Sequence, residues 1–155
     1  MTTDASPQTS AEPRPSTQAL GTVDHVAIAV RAESLAAARK FMTGVLGARW
    51  TYSGNDPDFG FEHYLLGAFK IEILWPSTES SFLTKFLDKR GEGLHHITVV
   101  VDDLEGTCAR LANEEISVVD KDTSRPEWMT AFISPRSAFG VLYQLAQKGK
   151  PGVKP

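Results

Sequence analysis

The sequence repeats itself at a spacing of about 71 residues, and this restricts its possible folds more than any other feature. Residues 24–28 (DHVAI) precede a stretch with helical spacing, and residues 95–99 (HHITV) precede another. Each copy then ends in an apolar run that contains one polar residue, Glu72 in the first copy and Gln144 in the second. Such internal similarity predicts two copies of one supersecondary unit.

Hydrophobic periodicity and turn residues predict the same order of elements in both halves. In each half an apolar, β-branched run predicts a buried strand, and a helix and three further strands follow it. The first half has a strand at 22–30, a helix at 33–46 capped by Gly47, and strands at 48–52, 61–66 and 69–75. The second half has a strand at 95–101, a helix at 104–113, and strands at 117–120, 130–134 and 140–146. An amphipathic helix, about 79–90, connects the halves.

The sequence predicts one domain over residues 21–147, with a first module at about 22–76 and a second at about 94–147. Residues 1–20 are rich in Ser, Thr, Pro and Gln and have few large apolar groups, so we expect a disordered tail. We interpret residues 148–155 as a short C-terminal tail. No stretch is apolar enough for a secretory signal or a membrane span, which favours a cytoplasmic protein without membrane partners.

Charge and cysteine content exclude two further classes of protein. The net charge is −3, from 16 basic and 19 acidic residues, and the isoelectric point is about 5.8. Nucleic-acid-binding domains typically have isoelectric points above about 9, so we expect no nucleic-acid partner. The single cysteine, Cys108, cannot form an intrachain disulfide, and we interpret it as a small buried hydrophobic residue.

Strand alternation selects which histidine of the second copy corresponds to His25. His25 shares a strand face with Ala27 and Ala29, and His96 shares a face with Thr98 and Val100. His95 falls on the other face, so His96 is predicted to be the counterpart of His25.

His25, Glu72, His96 and Gln144 therefore occupy matching positions in the two copies. Two imidazoles, one carboxylate and one neutral donor suit one divalent ion such as Co, Ni, Mn, Zn or Fe. Because such a set leaves positions open for substrate, it favours a catalytic metal over a structural one.

These motifs resemble the vicinal-oxygen-chelate superfamily of glyoxalases, bleomycin-resistance proteins and extradiol dioxygenases, and most of all its methylmalonyl-CoA epimerases. The likeness spans residues 21–147 and includes DHVAIAV at 24–30, IEIL at 71–74, GEGLHHI at 91–97 and SPRS at 134–137. It implies an α+β fold in which paired βαβββ modules form a curved mixed sheet around a metal site. It also implies that His25, Glu72 and His96 bind the metal and that the protein is a homodimer.

The chain departs from the epimerase pattern at the fourth ligand. Epimerases and glyoxalase I of this superfamily have a glutamate there, which binds metal and transfers protons, whereas this chain has Gln144. An amide has no proton to exchange near neutral pH, so Gln144 can bind metal but cannot be a general base. Glu62 and His63, where some epimerases have a second catalytic glutamate, are the alternative bases.

The first functional hypothesis is a metal-dependent isomerase or lyase that acts on a small molecule. Such an enzyme polarises a carbonyl or thioester and stabilises an enolate. An acyl-CoA is the first substrate class that we expect. A resistance-type protein that sequesters a ligand is the main alternative, because Gln144 removes the usual proton chemistry. A glyoxalase-type enzyme or an iron-dependent dioxygenase is a further alternative. Metal analysis of the purified protein would separate these alternatives.

Overall fold

A computed structural model describes residues 19–149. The two predicted tails, 1–20 and 148–155, lie almost entirely outside these residues. In the described part of the chain, no helix combines the length and the apolar character that crossing a membrane requires.

The order of elements is βαβββ, a connecting helix and βαβββ again, as predicted. The first module contains β1 (Thr22–Ala29), α1 (Leu35–Lys40), β2 (Arg49–Asn55), β3 (Phe59–Leu66) and β4 (Phe69–Pro76), and α2 (Phe82–Arg90) connects it to the second. The second module contains β5 (Gly93–Val100), α3 (Leu104–Asn113), β6 (Val118–Asp122), β7 (Trp128–Ile133) and β8 (Tyr143–Lys148). The predicted strand at 140–146 therefore starts three residues too early, because a 3₁₀ turn at Pro135–Ser137 and a left-handed Gly140 precede it.

The first helix is less regular than its sequence predicts. A 3₁₀ turn at Ala32–Ser34 precedes α1, and a π turn at Phe41–Val45 follows it. The Thr43 hydroxyl donates to the carbonyl of Arg39 at 2.9 Å, an interaction that bends helices. Gly47 follows with a φ of 65°, a conformation that glycine adopts without a steric penalty, as its predicted capping role requires.

All eight strands form one mixed sheet in the order β2-β3-β4-β1-β5-β8-β7-β6. β1 pairs with β5 antiparallel at the centre, where the two modules join, and the parallel pairs β1–β4 and β5–β8 flank this centre symmetrically. The four strands that carry the predicted metal ligands are therefore neighbours in the middle of the sheet.

The helices lie on different faces of the sheet. Residues of α1 pack with Tyr64, Ile71 and Ile73, and residues of α3 pack with Ala131 and Leu145, on the face opposite the predicted site. On the site's own face, Leu83 and Leu87 of α2 pack against the small side chains of Ala27 and Ala29 and against Leu74. This packing leaves the rest of the face free for the site.

We expect Leu145→Ala to lower the free energy of unfolding by about 2–5 kcal/mol, because its side chain is fully buried under α3 and truncation leaves a cavity. Urea unfolding followed by circular dichroism measures this change. Leu94→Ala is the matched control: Leu94 is 53% exposed, so its loss should change the free energy by about 0.5 kcal/mol or less. Equal effects in both variants would contradict the assigned core.

Candidate metal centre

The two predicted histidine ligands lie on the central strand pair. His25 of β1 pairs in register with Thr98 of β5, and His96 of β5 pairs with Ala27 of β1. Both imidazoles are buried, and their ring centroids are 5.7 Å apart. A β-bulge between Val23 and His25 interrupts the antiparallel pairing, and such bulges re-aim side chains beside functional sites.

Glu72 joins the two histidines from β4, which runs parallel to β1 and pairs Glu72 with Ala27. Its Oε2 atom lies 3.3 Å from His25 Nε2 and 4.0 Å from His96 Nε2. One donor atom from each of the three residues lies within 4.8 Å of the other two. The structure thus brings together the three residues that the repeat and the resemblance select.

Gln144 reaches the same place from β8, where it pairs in register with Thr98. The Thr98 hydroxyl donates to Gln144 Oε1 at 2.8 Å and lies 3.0 Å from His25 Nε2. Thr98 is fully buried. Strand alternation predicts that Thr98 shares the face of His96, and the structure shows that its hydroxyl links Gln144 to His25.

Asp24 orients His25 from behind. Its carboxylate accepts a hydrogen bond from His25 Nδ1 at 2.8 Å and from the ammonium groups of Lys70 and Lys148 at 2.7 Å each. The bond from His25, with those from the lysines, holds the pKa of Asp24 far below its usual value against the effect of burial. With Nδ1 fixed on Asp24, His25 presents Nε2 to the centre.

His63 and Glu62 are neighbours on β3 and face opposite sides of the sheet. His63 Nε2 lies 2.8 Å from Glu72 Oε1, so His63 belongs to the site. Glu62 is buried on the other face, where Arg39 pairs with its carboxylate and the Tyr64 hydroxyl donates to it at 2.6 Å. The expectation that Glu62 could act as the base is corrected by this placement, because alternation along β3 turns it away from the other site residues.

His95 borders the site, although strand alternation predicts that it lies on the other face. Its Nδ1 atom lies 2.8 Å from His96 Nδ1, and its ring borders the same cavity as His96. The rings of Phe82 and Phe86 on α2 contact the His95 ring, with centroids 5.7 and 4.7 Å away. The pairing of β1 with β5 shifts register at this point, because Ala27 pairs with His96 and Ile28 with Leu94, so regular alternation does not hold at His95.

Burial and hydrogen bonding set the protonation of the centre in opposite ways for different groups. Burial lowers the pKa of His96 to about 3 and that of His95 to about 4, so both imidazoles are neutral at pH 7. Burial also acts to lower the pKa of His25, but the bonds to Asp24 and Glu72 outweigh it and raise that pKa. Burial acts to raise the pKa of Glu72, yet the bonds from His25 and His63 lower it to about 2, so Glu72 is ionised.

The donor set fits a divalent cation. Among the described residues, His96 Nε2 is the buried side-chain nitrogen or oxygen without a hydrogen-bond partner. A buried polar atom without a partner is costly, and this one points toward an ionised carboxylate oxygen and a second imidazole nitrogen. Two imidazoles, a carboxylate and an amide oxygen nearby are ligands that borderline divalent ions accept.

A cavity of about 710 Å³ opens above the centre. Aromatic side chains line its walls, including Phe59, Phe61 and Phe132. At its rim the Arg125 guanidinium pairs with Asp56 at 3.2 Å, which joins the β2–β3 turn to the segment between β6 and β7. A concave, mostly apolar space with polar groups that converge at one place is the form that small-molecule sites take.

The sequence matches the profile of the glyoxalase/bleomycin resistance protein/dioxygenase superfamily over residues 24–132. The chain belongs to this superfamily. The match confirms the predicted family, and the paired βαβββ modules of the mixed sheet confirm the predicted fold class.

Proteins named methylmalonyl-CoA epimerase are similar to most of this chain. The human mitochondrial methylmalonyl-CoA epimerase is 32% identical over 136 residues, which cover 83% of this chain and 74% of that protein. An uncharacterised protein of Bacillus subtilis is 31% identical over 129 residues, covering 81% of this chain and 91% of its own. The crystal structure of methylmalonyl-CoA epimerase from Mycobacterium tuberculosis superimposes with a TM-score of 0.75 at 28% identity, covering 88% of this chain and 93% of that one.

Proposed function

We propose that this protein is a metal-dependent isomerase or lyase of the epimerase type, which removes a proton from the carbon next to a carbonyl or thioester group. The observation that carries this proposal is the convergence of His25 Nε2, Glu72 Oε2 and His96 Nε2 at the base of the cavity. The similarity to methylmalonyl-CoA epimerases supports the reaction type.

His25, Glu72 and His96 would hold one divalent ion, and Gln144 would complete or flank the set through its amide oxygen. Such an ion supplies Lewis acidity toward a substrate oxygen, which favours the enolate formed when the α-proton leaves. Glu72 contributes the single negative charge of the four groups. Because Asp24 lies behind His25 and pairs with Lys70 and Lys148, its charge is offset outside the centre.

His63 is the candidate base. It borders the cavity, and its Nε2 lies 2.8 Å from the carboxylate of Glu72, which can only accept; in the neutral tautomer that donates from Nε2, Nδ1 is the nitrogen that can accept a proton. No hydrogen bond among residues 19–149 occupies Nδ1, so a proton from substrate can be accepted there. Gln144 has no such capacity and would donate its amide hydrogens to a substrate oxygen instead.

A methylmalonyl-CoA-like thioester is the substrate class that we propose first. The reason is that similar proteins are named methylmalonyl-CoA epimerases. The aromatic side chains of the cavity suit the short apolar acyl part of such a molecule. A homodimeric assembly, which the resemblance implies, and a cytoplasmic location, which the sequence favours, stay predictions.

Deuterium exchange tests the proposal directly. Protein loaded with Co²⁺ and incubated with methylmalonyl-CoA in deuterated buffer should incorporate deuterium at the α-carbon, measured by mass spectrometry. Removal of the metal with a chelator should stop the incorporation, and adding Co²⁺ back should restore it. Exchange that continues after metal removal would contradict a metal-dependent reaction.

His63→Gln tests the proposed base. The glutamine amide can still donate to Glu72, but it cannot accept a proton from substrate, so exchange should slow at least tenfold. Co²⁺ affinity should stay within a few-fold of that of the unmodified protein, because Glu72 keeps its partner. Unchanged exchange would contradict the role of His63, and a large loss of Co²⁺ affinity would show that His63 serves the metal site alone.

Ligand sequestration is the second candidate function. The neutral side chain at position 144 and the placement of Glu62 on the other face favour it, because together they remove two carboxylates that could transfer protons. A sequestering protein would bind its ligand in the cavity without exchanging its protons. Calorimetric binding of a thioester to metal-loaded protein that catalyses no exchange would identify this function.

A further inference from the structure

We infer that His95 is a positioning residue that fixes the tautomer and the orientation of His96, as Asp24 does for His25. This inference rests on the metal site of the proposed function. It assigns a role to a side chain that strand alternation places on the wrong face for the site.

The contact between the two rings determines the tautomer of each. His95 Nδ1 and His96 Nδ1 are 2.8 Å apart, so one nitrogen donates and the other accepts. His96 Nε2 must be unprotonated to bind a metal, so a neutral His96 carries its proton on Nδ1. His96 therefore donates, and His95 Nδ1 accepts.

Two aromatic side chains of the connecting helix hold His95 in place. Phe86 meets its ring edge-on at a centroid distance of 4.7 Å, and Phe82 lies at 5.7 Å. The rings of His95 and His96 are themselves nearly perpendicular, at 79°. His95 is thus packed between α2 and its own neighbour, and its lone pair is fixed in the direction of His96.

The internal repeat supplies the parallel case. Asp24 precedes His25 as His95 precedes His96, and its carboxylate accepts the Nδ1 hydrogen of His25 at 2.8 Å. Each histidine of the centre is therefore oriented by the residue before it. The two partners differ in charge: a carboxylate makes its imidazole more basic, whereas a neutral imidazole orients its partner without adding charge to the site.

A pair of variants at position 95 separates positioning from packing. In His95→Asn, the amide oxygen takes the place of Nδ1 and can accept from His96; in His95→Leu, nothing can accept. Both variants lose the aromatic contacts with Phe82 and Phe86. Co²⁺ affinity, measured by competition with a chromophoric chelator, should fall roughly 10- to 100-fold in His95→Leu and stay within a few-fold of the unmodified protein in His95→Asn.

A second measurement reads the tautomer itself in metal-free protein. In ¹⁵N-histidine-labelled samples, the His96 ring should be protonated on Nδ1 in the unmodified protein and in His95→Asn, and should populate both tautomers in His95→Leu. Equal loss of Co²⁺ affinity in both variants, or full affinity in His95→Leu, would overturn the positioning role.

The same experiments distinguish this inference from the proposed function. If the unmodified protein binds no Co²⁺, the metal-dependent function fails, while the tautomer measurement still decides whether His95 orients His96. If Co²⁺ binds and the two variants differ as expected without any deuterium exchange, the positioning role holds and the epimerase-type reaction fails. A mixture of His96 tautomers in the unmodified protein overturns the inference in either case.

Discussion

Replacing His96 with alanine should lower the affinity for Co²⁺ by more than about 100-fold, beyond the roughly 10- to 100-fold cost of losing an outer hydrogen-bond partner. The physical reason is the loss of His96 Nε2, a ligand nitrogen that is buried and has no hydrogen-bond partner among the described residues. His25 Nε2 and Glu72 Oε2 would remain, but two protein ligands hold a divalent ion much less tightly than three. Titration with a competing chromophoric chelator measures the change.

Leu94→Ala is the control for this experiment, because Leu94 lies on the same strand and is exposed. It should leave Co²⁺ affinity unchanged. Thermal unfolding of the metal-free proteins should show both variants folded, so that a loss of affinity is not a loss of structure. Equal affinity in His96→Ala and the unmodified protein would remove His96 from the ligand set and contradict the proposed centre.

The duplication makes much of this site predictable from the sequence. Once two βαβββ modules are inferred, the first strands of the modules lie beside each other, and the last strand of each module flanks them. His25, Glu72 and His96 then fall on neighbouring strands. Because the strand period is two, alternation is enough to choose the face on which each of them lies.

Side chains at irregularities in the strand pairing could not be predicted in this way. The register of β5 against β1 shifts at His95, and Phe82 and Phe86 of α2 pack against the ring of this residue. The register also shifts at Asp24, which bonds to His25. A regular strand pattern predicts neither shift.

The sequence left Glu62 and His63 open as candidate bases for a simpler reason. Adjacent residues on a strand face opposite sides, so an uncertainty of one residue in the pattern exchanges their roles. The pairing of His63 with Glu72 across β3 and β4 fixes the register and places His63 in the site. Glu62 pairs with Arg39 on α1, and this contact makes the buried carboxylate part of the packing between α1 and the sheet.

Converting Gln144 to glutamate should raise deuterium exchange into the α-position of methylmalonyl-CoA by roughly 10²-fold or more, the range that a placed general base supplies. The new carboxylate would occupy the space of the amide. It could still accept the hydrogen bond that the Thr98 hydroxyl now donates to Gln144 Oε1. It would add a second negative charge beside Glu72, which should tighten Co²⁺ binding and reduce the Lewis acidity of the ion. The loss of Lewis acidity should offset part of the gain from the new base.

Gln144→Asn is the matched neutral variant, since it keeps an amide and adds no charge. It should produce no rise in exchange, so a rise confined to Gln144→Glu identifies the carboxylate as the cause. Slow exchange in the unmodified protein that is lost in His63→Gln is the result that the proposed base predicts, and it would show that the amide at position 144 is compatible with epimerisation. Absence of exchange in every form, with Co²⁺ bound in each, would contradict the acyl-CoA hypothesis and leave ligand sequestration as the function that the neutral fourth position favours.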